Sequence, residues 1–519
     1  LLDRGASLGR DRIAYLIDDR RITFGEAQDL SLRVARALAA QDFGRAATCA
    51  VLSDNDPVSW LCVVGTWRAG LVWTPLNPRA PVAEHIQLVE GFDVDVLFFK
   101  SAFAPAAAAI RAACSGLRLL ICIDGDDEGA VSLARFLESH PATPMVFQPD
   151  LAALAAIMPT GGTTGRPKGV MLSHRNLLLS AMNGIVNTPY APGEEIVNLA
   201  AAPMTHTAGF LTLPATARGG KVVVMTKPDP AVLLDLVTSQ GVTEFFLPPT
   251  VIYRLLEAPG IERRDFSRLK YLMYGAAPMS VEKLRRALRV FGPVMLQGYG
   301  QTEAPGAIAF LRPGDHYRNG EIADDARLSS CGLPSVFNST AILDETGRSL
   351  PAGETGEIAV RGDIVMMGYY KQPDKTAETI VDGWLRTGDL GHIDAEGYLH
   401  ITDRKKDMII SGGFNVYPSE VEQVIWRHPA VLDCAVIGVA DPDWGEAVTA
   451  VVELRAGAST TADELIALCK AALGSVKAPK SVCFVESLPR SAVGKVLKKD
   501  LRDRFRQPQT NNQLREDVQ

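Results

Sequence analysis

The feature that most constrains the fold is a strand, turn, helix and strand in immediate succession between Leu269 and Leu296. Leu269–Tyr274 is apolar and short, as a buried strand is, and Gly275–Ser280 has turn composition. Val281, Leu284, Leu288 and Phe291 then recur at helical spacing, and Val294–Leu296 restores a strand before a Gly-rich turn. That order at that spacing predicts a layered α/β sheet, and similar alternation runs through the first 300 residues. A chain of 519 residues exceeds one ordinary core, so two or more domains are expected.

The texture changes after about Ser329. Short apolar stretches broken by Gly, Pro and Asp (Thr340–Leu343, Gly356–Val360, Gly397–Ile401) predict a small β-rich subdomain ending near Tyr398. A charged knot, Asp403-Arg404-Lys405-Lys406-Asp407, follows. Ser419 with Glu422 has capping-box spacing ahead of a helix burying Val421, Val424 and Ile425, and Thr461 with Glu464 repeats the pattern. Strands are expected at Val431–Val439 and Val448–Leu454. The division is therefore placed at 402/403: an N-terminal domain over 1–402, layered α/β sheets plus the β-rich subdomain, and a small α+β domain over 403–519. The polar tail from Gln507 reads as frayed.

Composition excludes several classes. A net charge of −7 weighs against a nucleic-acid partner. The cysteines (49, 62, 114, 122, 331, 434, 469, 483) form no CxxC pair, which removes zinc and dithiol motifs and suits the reducing cytoplasm. No apolar run approaches the roughly 18–20 residues of a membrane span. The chain opens on Leu1 rather than Met, which leaves upstream residues open. Gly5-Ala-Ser-Leu-Gly9 fits the hydrolase G-x-S-x-G pattern but has no room for a preceding strand, so it is read as chance in a frayed terminus.

The most informative segment runs from Thr160 to Gly169: Thr160, Gly161, Gly162, Thr163, Thr164, Gly165, Arg166, Pro167, Lys168, Gly169. Hydroxyls and close-approach backbone N–H groups wrap phosphate oxygens, and Lys168 adds positive charge. It is not a Walker A loop, because Pro167 stands where the second glycine belongs and Gly169 follows Lys168 in place of Ser or Thr. Alone, such a loop could equally be a surface linker.

Together with Val170-Met-Leu-Ser-His174, this loop resembles the signature of the adenylate-forming superfamily, in its bacterial acyl-CoA synthetase branch. Companion motifs recur in the family's order from about Thr23 to Leu501. The resemblance implies a large N-terminal domain, a small mobile C-terminal one, and an AMP-forming carboxylic acid–CoA ligase working through an acyl-adenylate. Its co-substrates would be ATP and coenzyme A, with Mg²⁺.

Residue by residue, the resemblance implies that Gln297, Gly298, Tyr299 and Gly300 line ATP, with Tyr299 against adenine. Thr302 would contact phosphate and Glu303 would help hold Mg²⁺, as a hard cation prefers oxygen ligands. Gly275, Ala276 and Ala277 would form the adenine-side turn, Asp389 would accept the ribose hydroxyls, and Arg404 would contact ribose or phosphate. His206 would adjoin the substrate carboxylate. Lys495 would be catalytic, neutralising charge between carboxylate and α-phosphate, and Lys406 would be the hinge. After the swing, Gly412 and Gly413 would line the pantetheine channel.

Thr207 stands where amino-acid-activating relatives carry an Asp, which disfavours an α-amino acid substrate. Ile410 stands where plant and insect relatives often carry Lys, which disfavours luciferase-type oxidation. A fatty or other hydrophobic acid is expected, with pocket candidates Phe210, Tyr274 and Ala304. An aryl acid, and transfer to a carrier protein instead of CoA, are the alternatives; a homodimer and peripheral membrane contact stay open.

Overall fold

A computed structural model describes residues 1–43, 47–144, 150–160, 168–226, 229–490 and 496–506, excepting the side chains of His206, Thr207 and Arg506. Gly161–Gly165, Lys495 and the tail from Gln507 therefore lie outside the described residues.

Two large sheets dominate. One runs as parallel neighbours through Lys221–Val224, Val197–Ala200, Glu244–Leu247, Tyr271–Gly275 and Met295–Gln301, and is extended by antiparallel strands at both edges. The other centres on Thr48–Leu52 and Val72–Pro75, and continues through the antiparallel pair Leu154–Thr160 and Lys168–Ser173. The predicted strand–helix–strand unit is present, with strands at Tyr271–Gly275 and Met295–Gln301 around a helix Val281–Phe291. Leu284, Leu288 and Phe291 of that helix are buried under the sheet. Each such side chain contributes about 1.5–3 kcal/mol by leaving water.

The β-rich subdomain is a separate five-stranded sheet including Ser339–Leu343, Gly356–Arg361, Trp384–Ile393 and Leu399–Arg404. Its last strand starts at Leu399 rather than Gly397, which sits in the preceding turn at φ 89°. The small C-terminal unit is built on the long hairpin Val431–Asp441 and Gly445–Leu454, backed by helices Pro418–Ile425 and Ala462–Lys477. Few side chains span the seam between it and the large domain. Gln423 donates to the Met279 carbonyl at 3.2 Å, Lys283 to the Leu432 carbonyl, and Arg455 pairs with Glu257.

Two local expectations change, and one of the two predicted capping boxes holds. Thr461 and Glu464 do form a reciprocal capping box. Ser419 and Glu422 do not: the first of these helices is capped at Tyr417 without a side-chain bond. Ser419 bonds instead to Thr402 and Asp403, while the Glu422 carboxylate turns inward to Val436 N–H (2.8 Å) and Lys498 (2.7 Å). The N-terminus is not frayed either, because helix Leu2–Ser7 buries Leu2, Gly5 and Ala6. All eight cysteines are free thiols, and burial pushes Cys49 and Cys331 up to about 12, far from nucleophilic range.

Candidate active site

In the first large sheet, the parallel strands end together where ligands collect in folds of this type. The turn after Tyr271–Gly275 starts with an unusual constraint. A Cβ on Gly275 would lie 2.4 Å from the Gly298 carbonyl oxygen, so only glycine lets the two strands close. The next residue, Ala276, takes the left-handed φ of 65°. A strained alanine at a strand end persists only where its surroundings hold it, and here Gly275, Ala276 and Ala277 put three small residues at that end.

Tyr299 is buried and donates to Asp389 Oδ2 at 2.7 Å. Burial and the adjacent carboxylate hold the phenol well above its ordinary range, so it stays a donor. Asp389 Oδ1 faces Arg404 Nε at 3.3 Å, since the two residues are register partners across the hairpin Trp384–Ile393 and Leu399–Arg404. Thr387 accepts from the Asp389 N–H at 3.1 Å. Glu357 braces the same turn by accepting from Gly388 N–H at 3.1 Å and pairing with Arg386 and Lys405, each at 3.6 Å.

A second corner gathers cations. Thr160 and Lys168 pair across the antiparallel strands; Gly161, Gly162, Thr163, Thr164 and Gly165, between them in sequence, lie outside the described residues. Lys168 Nζ lies 4.9 Å from the centre of the Tyr369 ring, and Tyr369 donates to Glu303 Oε1 at 2.9 Å. The Lys168 ammonium is held below the ordinary lysine range, first by burial, then by the nearby charges of Lys375 and Lys406 against Glu303 and Glu378. Thr302 and Glu303 form the turn between Met295–Gln301 and Ala304–Leu311, fixed by Met366 N–H donating to the Glu303 carbonyl at 2.8 Å. Lys406 sits in the turn between Leu399–Arg404 and Ile409–Ser411.

Hydrogen bonds and charge thus join Tyr299, Asp389 and Arg404 at one corner, and Lys168, Glu303 and Lys406 at the other. The short segment Thr302–Glu303 continues directly from the strand that carries Tyr299. The Gln297 amide oxygen accepts from Tyr274 at 3.2 Å. Tyr274 itself is no pocket residue: it is fully buried on the opposite face, bonded to His316 Nε2 at 3.0 Å. Burial pushes His316 down to about 4 and keeps it neutral.

The His206 backbone belongs to a π-helical turn, Met204–Ala208, whose start is pinned by Met204 N–H donating to Asn55 Oδ1 at 3.0 Å. Such wide turns recur at functional sites. Gly412 and Gly413 take φ of 58° and 81° in an exposed hairpin turn, and a Cβ on Gly413 would meet nothing within 4 Å. Among the described residues no hydrogen bond or ion pair links them to Asp389 or Glu303.

Tyr369, Glu357, Lys375 and Asn55 were not legible as site residues. Tyr369 alone left a trace, in Gly368-Tyr369-Tyr370-Lys371, where aromatic hydroxyls adjoin a glycine and a lysine. Tyr369 is brought to the loop by pairing with Val170.

Known proteins resemble this chain over nearly its whole length. A family model described as AMP-binding enzyme matches residues 2–370, and one described as AMP-binding enzyme C-terminal domain matches residues 420–495. The chain is 36% identical to the medium/long-chain-fatty-acid–CoA ligase FadD8 of Mycobacterium tuberculosis, over 96% of this chain and 88% of that protein. It is 37% identical to a feruloyl-CoA synthase of an Amycolatopsis species, over 93% of this chain and 94% of the relative. Among solved structures, the amide bond synthetase McbA of Marinactinospora thermotolerans superposes with a TM-score of 0.88 at 30% identity, covering 97% of this chain and 99% of that one. The chain belongs to the AMP-binding enzyme family, within the adenylate-forming superfamily. It is an AMP-forming acid–thiol ligase by class, with a large α/β N-terminal domain and a smaller C-terminal domain.

Proposed function

We propose that this enzyme activates a hydrophobic monocarboxylic acid, fatty or aryl, as its acyl-adenylate and then transfers the acyl group to coenzyme A. The observation that carries the reading is one strand joining two charged corners: Tyr299 bonds the Asp389–Arg404 pair, and the turn that follows carries Glu303, tied by Tyr369 to the Lys168 corner. One corner suits a triphosphate and the other a ribose.

In the first step Asp389 accepts from the ribose hydroxyls, exchanging its present partners for the sugar. Gly275–Ala277 and Tyr299 flank the adenine. Thr160–Gly165 and Lys168 hold the phosphates, with Thr302 adding a hydroxyl. Glu303 has one carboxylate oxygen engaged by Tyr369 and a second with no protein partner among the described residues. A single carboxylate plus substrate phosphates fits Mg²⁺, which would neutralise charge on the leaving pyrophosphate. The family resemblance would set His206 beside the acid's carboxylate. Lys495 bridges that carboxylate and the α-phosphate as the oxygen attacks phosphorus and pyrophosphate leaves.

For the second step we place the domain division at residues 402/403 and the pivot at Lys406. Rotation there withdraws Lys495 and brings Gly412 and Gly413 toward the acyl-AMP. The CoA thiol then attacks the acyl carbonyl and AMP departs.

The test is acid-dependent exchange of labelled pyrophosphate into ATP without CoA, followed by AMP and thioester formation once CoA is added. Exchange without any thioester would point to a carrier protein or an amine as acceptor; the solved neighbour at 30% identity is an amide bond synthetase. No exchange across fatty and aryl acids would overturn the reading.

A further inference from the structure

Opposite the strand that joins the two corners, the ladder loses register. Met295–Gln301 and Ala304–Leu311 pair in step at Gln297 with Leu311, Gly298 with Phe310 and Tyr299 with Ala309, but the next pair is Gln301 with Ala304. Gly300 alone thus faces Pro305, Gly306, Ala307 and Ile308. Such a bulge re-aims the strand it interrupts. Here it falls between Tyr299, bonded to Asp389, and Glu303, bonded to Tyr369. The packing on either side is close. A Cβ on Gly300 would lie 2.9 Å from Ala307 Cα, and one on Gly306 would lie 2.6 Å from Ser180 Cα of helix His174–Asn187. The extra residues are wedged between that helix and Gly300.

This bulge is strained, and it is held. Gly306 and Ala307 take φ of 84° and 81° in succession, and Ala307 carries the Cβ that resists this region. Residues outside the register also need other partners for their carbonyls. One side chain supplies two of them. Asn183 Nδ2 donates to the Gly306 carbonyl and to the Ala307 carbonyl, each at 2.9 Å. Its Oδ1 accepts from Ser335 Oγ at 2.9 Å and from Asn187 Nδ2 at 3.1 Å. Asn183 is 0% exposed, so its amide is satisfied entirely by these partners, in the one orientation they allow. The Ser335 N–H takes the next carbonyl, that of Ile308, at 2.8 Å.

We propose that Asn183 is a positioning residue for adenylate formation: by clamping the Gly306–Ala307 bulge against Gly300, it fixes the spacing between the Tyr299 corner and the Glu303 corner. This rests on the nucleotide reading above and goes beyond it, since Asn183 is assigned no contact with substrate. Each corner can bind its own part of ATP. Attack on the α-phosphorus needs both in place at once, and a misplacement of about 1 Å can cost ~10²-fold in rate. Loosening the bulge therefore lowers kcat and leaves the KM for ATP nearly unchanged. Glycine at position 307 removes the Cβ penalty, so the bulge then holds its shape without the clamp.

The experiment measures kcat and the KM for ATP in pyrophosphate exchange with octanoic, palmitic, benzoic and ferulic acids, together with the thermal unfolding of each protein. Asn183→Ala is expected to lower kcat by about 10–100-fold with the KM for ATP within about threefold of the wild type. Ala307→Gly alone is expected to stay near the wild type. Added to Asn183→Ala, it is expected to recover about tenfold in kcat. Ser335→Ala removes only the hydroxyl that holds the amide. It is expected to show a smaller loss with the same recovery, and it carries the comparison if Asn183→Ala does not fold. A lowered unfolding temperature with wild-type kcat, or a loss that Ala307→Gly fails to recover, is the mark of a merely structural tie and would sink the inference. Absence of acid-dependent exchange in the wild type defeats the acid-activating reading and this inference together, whereas wild-type exchange with an unimpaired Asn183→Ala defeats only this one.

Discussion

Around Asp389 each charge already has a partner: Tyr299 donates to one carboxylate oxygen, Arg404 faces the other, and Glu357 is met by Arg386 and Lys405. Around Lys168 burial depresses the ammonium first and the fields of Lys375 and Lys406 add to it, while Glu303 is engaged by Tyr369 and Lys375 by Glu378. The first corner is pre-organised, and a sugar would replace partners that Asp389 already has. The second holds repulsion that a polyanion relieves. On the roles proposed above, affinity for phosphate would come from spacing of charge, and the ribose corner would contribute geometry.

This contrast can be broken experimentally. The largest effect is expected at the charge that completes the phosphate side. Lys495→Ala should slow pyrophosphate exchange by ~10²–10³ while sparing thioester formation from supplied acyl-AMP; equal loss in both would remove the domain rotation. Lys168→Ala should raise the KM for ATP by about 10–100-fold, the scale of one charged hydrogen bond. Its residual ATP dependence should also be less sensitive to salt than the wild type's. Asp389→Asn keeps the shape of the ribose corner but weakens its acceptors, and about a tenfold rise in ATP KM is expected with kcat nearly unchanged.

Tyr369→Phe should give the smallest change, a few-fold in apparent Mg²⁺ requirement, read from metal titrations at saturating ATP. A pH profile sharpens the same contrast. Because burial and like charge depress the Lys168 ammonium, it loses its proton at a lower pH than an ordinary lysine. ATP affinity should therefore fall on the alkaline side earlier than simple lysine titration predicts, and the fall should disappear in Lys168→Ala. ATP binding in that range should take up protons, which calorimetry in buffers of different ionisation enthalpy would detect.

Much of this was legible in advance because it depends on local pattern. The helical spacing of Val281, Leu284, Leu288 and Phe291 is set by one face packing on one sheet, and Thr461 with Glu464 needs only neighbours in sequence. What sequence reading missed depends on distant register. Ser419 and Glu422 have capping-box spacing, yet Asp403 and Lys498 compete for them and win, because a buried carboxylate gains more from an ammonium than from a helix end. Tyr274 looked like a pocket residue because its strand borders the site, but the pleat sends it to the opposite face. Tyr369 joins Glu303 only through antiparallel pairing of segments about 200 positions apart, which no local periodicity encodes.

The seam between the two domains carries a consequence of its own. Lys283, Gln423, Arg455 and Glu257 bridge it with ions and amides, while the apolar clusters of the two units stay apart. In the rotation proposed above, parting these surfaces would break ions and amides and leave each apolar cluster whole. Dissolved ions weaken such a closure far more than they weaken either core. Ionic strength thus becomes a handle on posture, separable from any effect on the integrity of the polypeptide.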